Sequence, residues 1–431
     1  MGSRTLAAGA FLLAATAASA QSEGGKFGVA VSGVGDVNGD GVPDVVVGAP
    51  EARPGGRYDA GQATVYSGKD GSVLHSFAGT SSIEFLGASV AGPGDLNGDG
   101  KPEIAVGAPR ASQWKGSVRA FSGKNGSLLW EAVGATKGEA LGTALSVTGD
   151  MNADGVPDLL AGAPSASVGG REHCGVARVL SGKDGKALLT LEGEVAWESF
   201  GTVVAPAGDV NGDGKPDIAV GGWFSPHEHT ARASSLRLFS GKDGALLFTV
   251  PAQDNSCQAT SAAVIGDRDG DGIGDLVLGM PMATRSGHLA GGGIRIRSGA
   301  NGRILVRAAG RGTNFDTYGL ALALAGDMNG DGFTDFWVSA SGGEAGAEDL
   351  GNAKDPAGRI ELVSGKDMVP IRIVFSKQFG EMLGAALAVP GDLDKDGVPD
   401  LLAGAPGAGV ARVYSGKDGS VLLTLSPPPE K

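Results

Sequence analysis

Seven stretches of nine residues carry the side chains that could do chemistry in this 431-residue chain. In the first, DVNGDGVPD, Asp36, Asn38, Asp40 and Asp44 offer side-chain oxygens at positions 1, 3, 5 and 9, and Val42 offers its carbonyl at position 7. Those places are held next by Asp95, Asn97, Asp99, Lys101 and Glu103, then by Asp150, Asn152, Asp154, Val156 and Asp158. Asp209, Asn211, Asp213, Lys215 and Asp217 form the fourth set, and Asp267, Asp269, Asp271, Ile273 and Asp275 the fifth. Asp327, Asn329, Asp331, Phe333 and Asp335 form the sixth, and Asp392, Asp394, Asp396, Val398 and Asp400 the seventh. Carboxylates this close repel one another unless a cation sits among them. An all-oxygen set suits a hard divalent ion. Calcium takes roughly six to eight oxygens in flexible geometry, whereas magnesium demands a tighter octahedron and keeps its waters. The glycine at position 6 lets the chain wrap sharply. A metal-free network of Asx turns is the alternative for any single copy. Seven complete copies predict calcium, up to seven ions per chain.

Charge agrees with that reading. The formal net charge is −13, and 23 of the 48 acidic residues lie in these loops. An acidity so localised argues against nucleic acid or an anionic membrane as partner. No stretch after the first twenty residues approaches the ~18 apolar residues of a spanning helix. The opening residues 1–20 carry Arg4, an apolar run and Ala18-Ser19-Ala20. They read as a secretory signal peptide cut before Gln21, which predicts a secreted or extracellular product, periplasmic or cell-surface locations included. Two cysteines, Cys174 and Cys257, are too few for a disulfide framework.

The loops recur at intervals of 59, 55, 59, 58, 60 and 65 residues. Each is preceded by a short apolar run and followed by a buried one, such as VVVGAP (45–50) or IAVGAP (104–109). A third run ends in Ser-Gly, and a Lys-Asp-Gly or Lys-Asn-Gly turn leads into a fourth. Short apolar runs bounded by Gly, Pro, Asn and Asp are strands, and glycine turns between them make hairpins. Four strands per unit and seven units predict an all-β fold, a seven-bladed β-propeller of four antiparallel strands per blade with the calcium loop between first and second strands. The propeller spans 21–426, its blades near 27–82, 83–137, 138–196, 197–254, 255–314, 315–378 and 379–426, and 427–431 form a tail.

Phe-Gly opening a unit, the acidic loop, and Gly-Ala-Pro closing the second strand resemble the FG-GAP repeats of the integrin α-subunit propeller. The resemblance covers 27–425, with departures. Blade five opens CQATSAAV, and blades four, five and six read VGGW, LGMP and VSAS in place of Gly-Ala-Pro. The chain enters on a first strand and leaves on a fourth, so no strand is exchanged to close the ring and the seam must rely on packing between blades.

In an up-and-down blade the acidic loops and hairpin turns share one face. The longer, variable second-to-third-strand loops share the other, where ligands are usually met. Arg57, Tyr58, Trp114, Trp223 and Arg285 are the candidate contacts there, because Trp and Tyr suit protein anchors or sugar faces. Packing between blades is the competing role for each. His227 and His229 could hold a transition metal or be ordinary loop residues. No repeated nucleophile, Gly-x-Ser-x-Gly elbow or His-Glu-x-x-His appears. The resemblance implies a non-catalytic protein-binding or adhesion module meeting an extracellular protein, and the chain is expected to be a monomer. A glycan-binding propeller is the alternative, and an extracellular hydrolase with a loop-borne active site a further one.

Overall fold

The structure, a computed structural model, describes residues 25–222, 236–250, 259–283, 291–310, 316–342, 358–378 and 380–429. The expected signal peptide and Trp223, His227, His229, Cys257 and Arg285 lie outside the described residues. Seven antiparallel sheets follow one another, each of four strands in sequential order. The first blade comprises Ala30–Gly35, Asp44–Ala49, Gln62–Tyr66 and Val73–Ala78. The strands of the other six fall within 89–133, 144–192, 203–250, 261–309, 322–375 and 387–425. The result is the seven-bladed propeller that the period predicts.

Each strand's composition follows from its place in the blade. Second strands such as DVVVGA, EIAVGA and DLLAGA are buried along their whole length, with neighbouring blades covering both faces. Fourth strands lie at the rim, where Val73, Leu128, Leu246 and Val421 stand exposed at the same place after the hairpin turn. The core is therefore a ring of clusters between blades. Leu86, for example, is packed with Val46 and Val65 of blade one and Ile104 of blade two.

The two glycines of the repeat make those joints possible. The amide of the Phe-Gly glycine donates to the second strand of its own blade, as Gly28 to Gly48 (3.0 Å), Gly87 to Gly107 (2.9 Å) and Gly142 to Gly162 (3.0 Å). Its carbonyl meets the Gly-Ala-Pro glycine of the preceding blade. A Cβ on Gly48 would lie 2.1 Å from Gly87 O, one on Gly107 2.1 Å from Gly142 O, and one on Gly162 1.9 Å from Gly201 O. No L side chain fits there. The contact also closes the ring, because a Cβ on Gly404 of blade seven would lie 1.8 Å from Gly28 O of blade one. Phe27, Tyr66, Leu402, Val413 and Leu425 fill that seam, and the Tyr66 hydroxyl donates to Ser426 O at 2.7 Å. Among the described residues the seam is held by this packing and hydrogen bond, without strand exchange.

Candidate functional site

In every blade but the fifth the first strand ends in a register shift just before the acidic loop, as between Gly33 and Gly35, Ala91 and Gly94, and Pro206 and Gly208. Such bulges bend the strand and re-aim the residues that follow. The loop then folds around its own position-1 carboxylate. Asp36 Oδ1 accepts the amides of Gly39 (2.6 Å) and Asp40 (3.0 Å), and Oδ2 accepts that of Gly41 (2.9 Å). Asp95, Asp209, Asp267 and Asp327 repeat the pattern. Burial raises the Asp36 carboxyl, but the Gly41, Gly39 and Asp40 donors and Lys101 outweigh it and hold the group below its ordinary value. At position 5, Asp40 Oδ1 accepts the Val42 amide at 2.9 Å, and at position 3 Asn38 Oδ1 accepts that of Asp40 at 2.9 Å.

Position 9 has a second duty that spacing does not reveal. Asp44 is fully buried. Its Oδ2 accepts the Val37 amide inside the loop (2.8 Å), and its Oδ1 accepts the Gly68 amide in the hairpin turn of the same blade (3.0 Å). Asp158, Asp217, Asp275, Asp335 and Asp400 tie loop to turn in the same way, through Gly182, Gly241, Gly299, Gly365 and Gly416. Glu103 departs from the set, reaching Leu96 N and the Asn97 side chain. Burial pushes Asp44 above the usual carboxylate range against the Gly68, Asn38 and Val37 donors, with Asp40 adding repulsion. Glu103 and the five aspartates shift the same way, burial first and neighbouring loop carboxylates adding to it.

These oxygens fit a hard cation best in three loops. Carboxylate oxygens of Asp95, Asp99 and Glu103 lie within 4.8 Å of one another, as do those of Asp267, Asp269 and Asp271 and those of Asp392, Asp394 and Asp400. The loops differ in the positive charge already beside them. Arg303 is 3.2 Å from Asp269, and Lys417 is 3.9 Å from Asp396.

On the opposite face, the loops of blades one and two are stitched to the connections that follow their blades. The Ile83 amide donates to Tyr58 O (2.8 Å), Phe85 to Asp59 O (3.1 Å) and Gly138 to Trp114 O (2.8 Å). Tyr58 is 53% exposed and Trp114 49%. Arg53 lies over the Tyr58 ring, and Arg110 lies over both Phe85 and Trp114 at 4.3 and 4.7 Å from their centroids. Arg57 turns its Nε to Gly79 O at 3.2 Å. Ser112, Gln113 and Trp114 all have positive φ, 53°, 65° and 68°. Each costs roughly 1–3 kcal/mol, and such strain gathers where loops bind or react. Among the described candidates the structure thus brings Trp114 together with Arg110, and sets Tyr58 with Arg53 on the neighbouring loop.

Residues 27–66, 86–123, 141–173 and 383–423 match the FG-GAP repeat, and 209–278 match the FG-GAP-like repeat, together just over half of the chain. The chain belongs to the FG-GAP repeat family. Integrin alpha-V of Gallus gallus is 31% identical over 227 residues, 48% of this chain and 21% of that protein. Integrin alpha pat-2 of Caenorhabditis elegans is 29% identical over 253 residues, 52% of this chain and 20% of that protein. Phosphatidylinositol-glycan-specific phospholipase D of Bos taurus is 34% identical over 167 residues, 35% of this chain and 20% of that protein. The matches thus span about a fifth of these relatives' length. Saccharomyces cerevisiae Sqt1, with a TM-score of 0.53 at 10% identity, covers 92% of this chain and 84% of its own, and shares the fold alone. Among the described residues no helix is long and apolar enough to cross a membrane.

This FG-GAP propeller also carries a set of buried charges that motif reading passed over. An acid stands three residues before the Phe-Gly glycine, and an arginine stands in the third strand of the same blade. Arg119 meets Glu84 at 3.1 Å, Arg178 meets Glu139, Arg237 meets Glu198, and Arg412 meets Glu381. In blade six Arg359 sits two residues earlier in its strand and spans Asp316 and Glu361. The acid also accepts backbone amides of the connection, as Glu84 does from Thr80 (3.1 Å) and Ser81 (3.0 Å). Each pair clips the incoming connection to the blade it enters. Blade one has Gly25 and Thr64 at the two places. Aligning the seven repeats would have exposed the pattern. A second set of ties joins neighbouring blades on the acidic face, where Trp130 Nε1 donates to Gly182 O at 2.8 Å and His75 Nε2 lies 2.5 Å from Gly123 O.

Proposed function

We propose that this chain is an extracellular, calcium-stabilised recognition module, non-catalytic, that meets a protein partner with the face opposite its acidic loops. The observation that carries the reading is the pair of exposed rings, Tyr58 and Trp114, each under an arginine and each on a loop fixed by backbone hydrogen bonds. Rigid aromatic and arginine side chains are the groups that dominate binding energy at protein interfaces. Similarity to integrin α chains supports an adhesion role and an extracellular setting.

Calcium, when bound, would neutralise the loop carboxylates and hold each loop against its neighbours. The residues that would hold it are the oxygens at positions 1, 3, 5 and 9 and the carbonyl at position 7. The protein's own part is to pre-form the cage. In five loops the position-1 carboxylate gathers the amides of positions 4 to 6, and in every blade but the second the position-9 carboxylate anchors the loop to its hairpin turn. Glycan binding is the second reading, favoured by the open Trp114 ring, because an exposed indole face also suits a sugar ring.

Arrays of extracellular proteins and of glycans, probed with the wild type and with Tyr58→Ala and Trp114→Ala, test the proposal. Protein binding that both substitutions weaken by about tenfold or more supports it. Binding confined to glycans replaces it with the second reading. Binding that neither substitution changes removes this face from the account. Turnover of a phosphodiester panel, prompted by the name of the phospholipase relative, would overturn the non-catalytic assignment.

A further inference from the structure

Four of the acidic loops place asparagine at position 3 directly before glycine: Asn38-Gly39, Asn97-Gly98, Asn211-Gly212 and Asn329-Gly330. That pair is the one most open to intramolecular deamidation, because glycine offers no side chain to hinder attack by its own amide nitrogen. In the reaction, the glycine nitrogen bonds to the asparagine Cγ, the bond from Cγ to the side-chain nitrogen breaks, and that nitrogen leaves as ammonia with the glycine's proton. Water then opens the cyclic imide at either carbonyl, leaving aspartate or isoaspartate. No oxidant or reductant is involved.

The folded loop occupies the attacking nitrogen and fixes the side chain that it would attack. The Gly39 amide donates to Asp36 Oδ1 at 2.6 Å, Gly98 to Asp95 at 2.7 Å, Gly212 to Asp209 at 2.8 Å and Gly330 to Asp327 at 2.7 Å. The asparagine Oδ1 accepts the amide of position 5 at 2.9 Å in all four. Attack requires the nitrogen to lose its proton and turn toward Cγ. A carboxylate acceptor on that N–H opposes both changes, by holding the proton in a charge-assisted hydrogen bond and by fixing the peptide plane.

We infer that Asn38, Asn97, Asn211 and Asn329 are latent modification sites, each protected by the position-1 carboxylate of its own loop. Conversion to aspartate would give the loop the composition that blades five and seven already have, with Asp269 and Asp394 at position 3. Conversion to isoaspartate would lengthen the main chain by one carbon and misplace position 5. Asn152 stands apart from the four, because the Ala153 methyl follows it.

The test is peptide mapping by mass spectrometry after prolonged incubation of the whole protein at mildly alkaline pH. Wild type, Asp36→Ala, Asp36→Asn and Asp209→Ala are compared with the chemically denatured chain. In the wild type all four asparagines should convert more slowly than in the denatured chain. Asp36→Ala should speed Asn38 by about tenfold, the factor carried by loss of one hydrogen bond to a charged acceptor, and leave Asn97, Asn211 and Asn329 slow. Asp209→Ala should move the acceleration to Asn211 alone. Asp36→Asn, which keeps an oxygen acceptor, should stay nearer the wild type. Wild-type rates equal to those of the denatured chain overturn the inference. So does a uniform rise at all four sites in both alanine variants, which would place the protection in the fold at large.

Discussion

Gly404→Ala puts the closure of the ring to the test. Its φ lies outside the left-handed region, so the substitution adds no backbone strain and only its methyl matters. That methyl would lie 1.8 Å from Gly28 O, and reaching the 3.0 Å below which Cβ contacts essentially never occur requires a shift of more than an ångström. Neither side yields easily. Gly404 donates to Ala386 O at 2.9 Å and accepts from Gly384 at 2.8 Å, while the Gly28 amide donates to Gly48 O at 3.0 Å. Overpacking costs ~1–3 kcal/mol, and straining one hydrogen bond on each side adds about 1 kcal/mol apiece, so the loss should be ~3–5 kcal/mol. At roughly 2 °C per kcal/mol for a large domain, the melting temperature should fall by ~6–10 °C in a calorimetric scan. Gly48→Ala, at an interior joint, should behave alike, since its methyl would meet Gly87 O at 2.1 Å. Gly266→Ala is the control, its nearest neighbour being Thr334 Oγ1 at 3.9 Å, and it should change stability by less than about 0.5 kcal/mol. A Gly404→Ala protein that melts with the Gly266→Ala control would show that the last blade does not close on the first through this contact.

Chelation should lower the melting temperature strongly. At millimolar free calcium a site of ~10⁻⁴ M affinity adds about 1.4 kcal/mol, and seven independent sites roughly 10 kcal/mol. An unchanged melt in EDTA would take calcium out of the account. Arg237→Met should cost about 3–5 kcal/mol in denaturant unfolding, because it leaves Glu198 buried without its partner; a loss under about 1 kcal/mol would reduce the pair to an ordinary surface bridge. The clips also set a pH dependence. Burial raises Glu84, but the Thr80 hydrogen bonds and Arg119 outweigh it and hold the carboxyl below its ordinary 4.5; in Glu381, Ser376 and Arg412 outweigh burial likewise. A depressed folded value stabilises above the ordinary one and is lost as pH falls from 4.5 through the folded value. Over that window the wild type should lose stability faster than a Glu84→Gln, Glu381→Gln double variant; parallel losses would remove these carboxyls as the titrating groups.

The ring was legible because its punctuation is written in residues with few substitutes. Only glycine fits where Gly48 meets Gly87, and acid or amide oxygens recur wherever the loop must cap its own amides. The buried arginine–acid pairs were hidden for an equally physical reason. A lone arginine in a strand reads as solvated, and its partner lies 35 residues away in Arg119–Glu84 and 43 in Arg359–Asp316. Blade six also moves the arginine by two positions and supplies Glu361 in its place. The role of Tyr58 and Trp114 was half legible. Their residue types suggested contact, but the positive φ run at 112–114 that presents Trp114 has no glycine to announce it.

The double duty of position 9 bears on what an ion would add. The protein's own hydrogen bonds close the loops, and Asp44 and its five aspartate counterparts are bound to both the loop and the hairpin turn, Glu103 to the loop alone. These ties predict a fold that does not wait on a metal as a zinc finger does, where the apo chain has nothing else to order it. What bound ions would relieve is repulsion. Position-9 carboxyls sit above their ordinary range from burial with neighbouring loop aspartates adding to it, and a divalent charge at the loop would reverse the second influence. Chelation should then leave a folded propeller of lower melting point with its seven sheets intact, and far-ultraviolet circular dichroism at low temperature should be nearly unchanged. A chain that loses its strand signal on chelation would mean that the hydrogen bonds within the loops cannot hold the acidic face together alone.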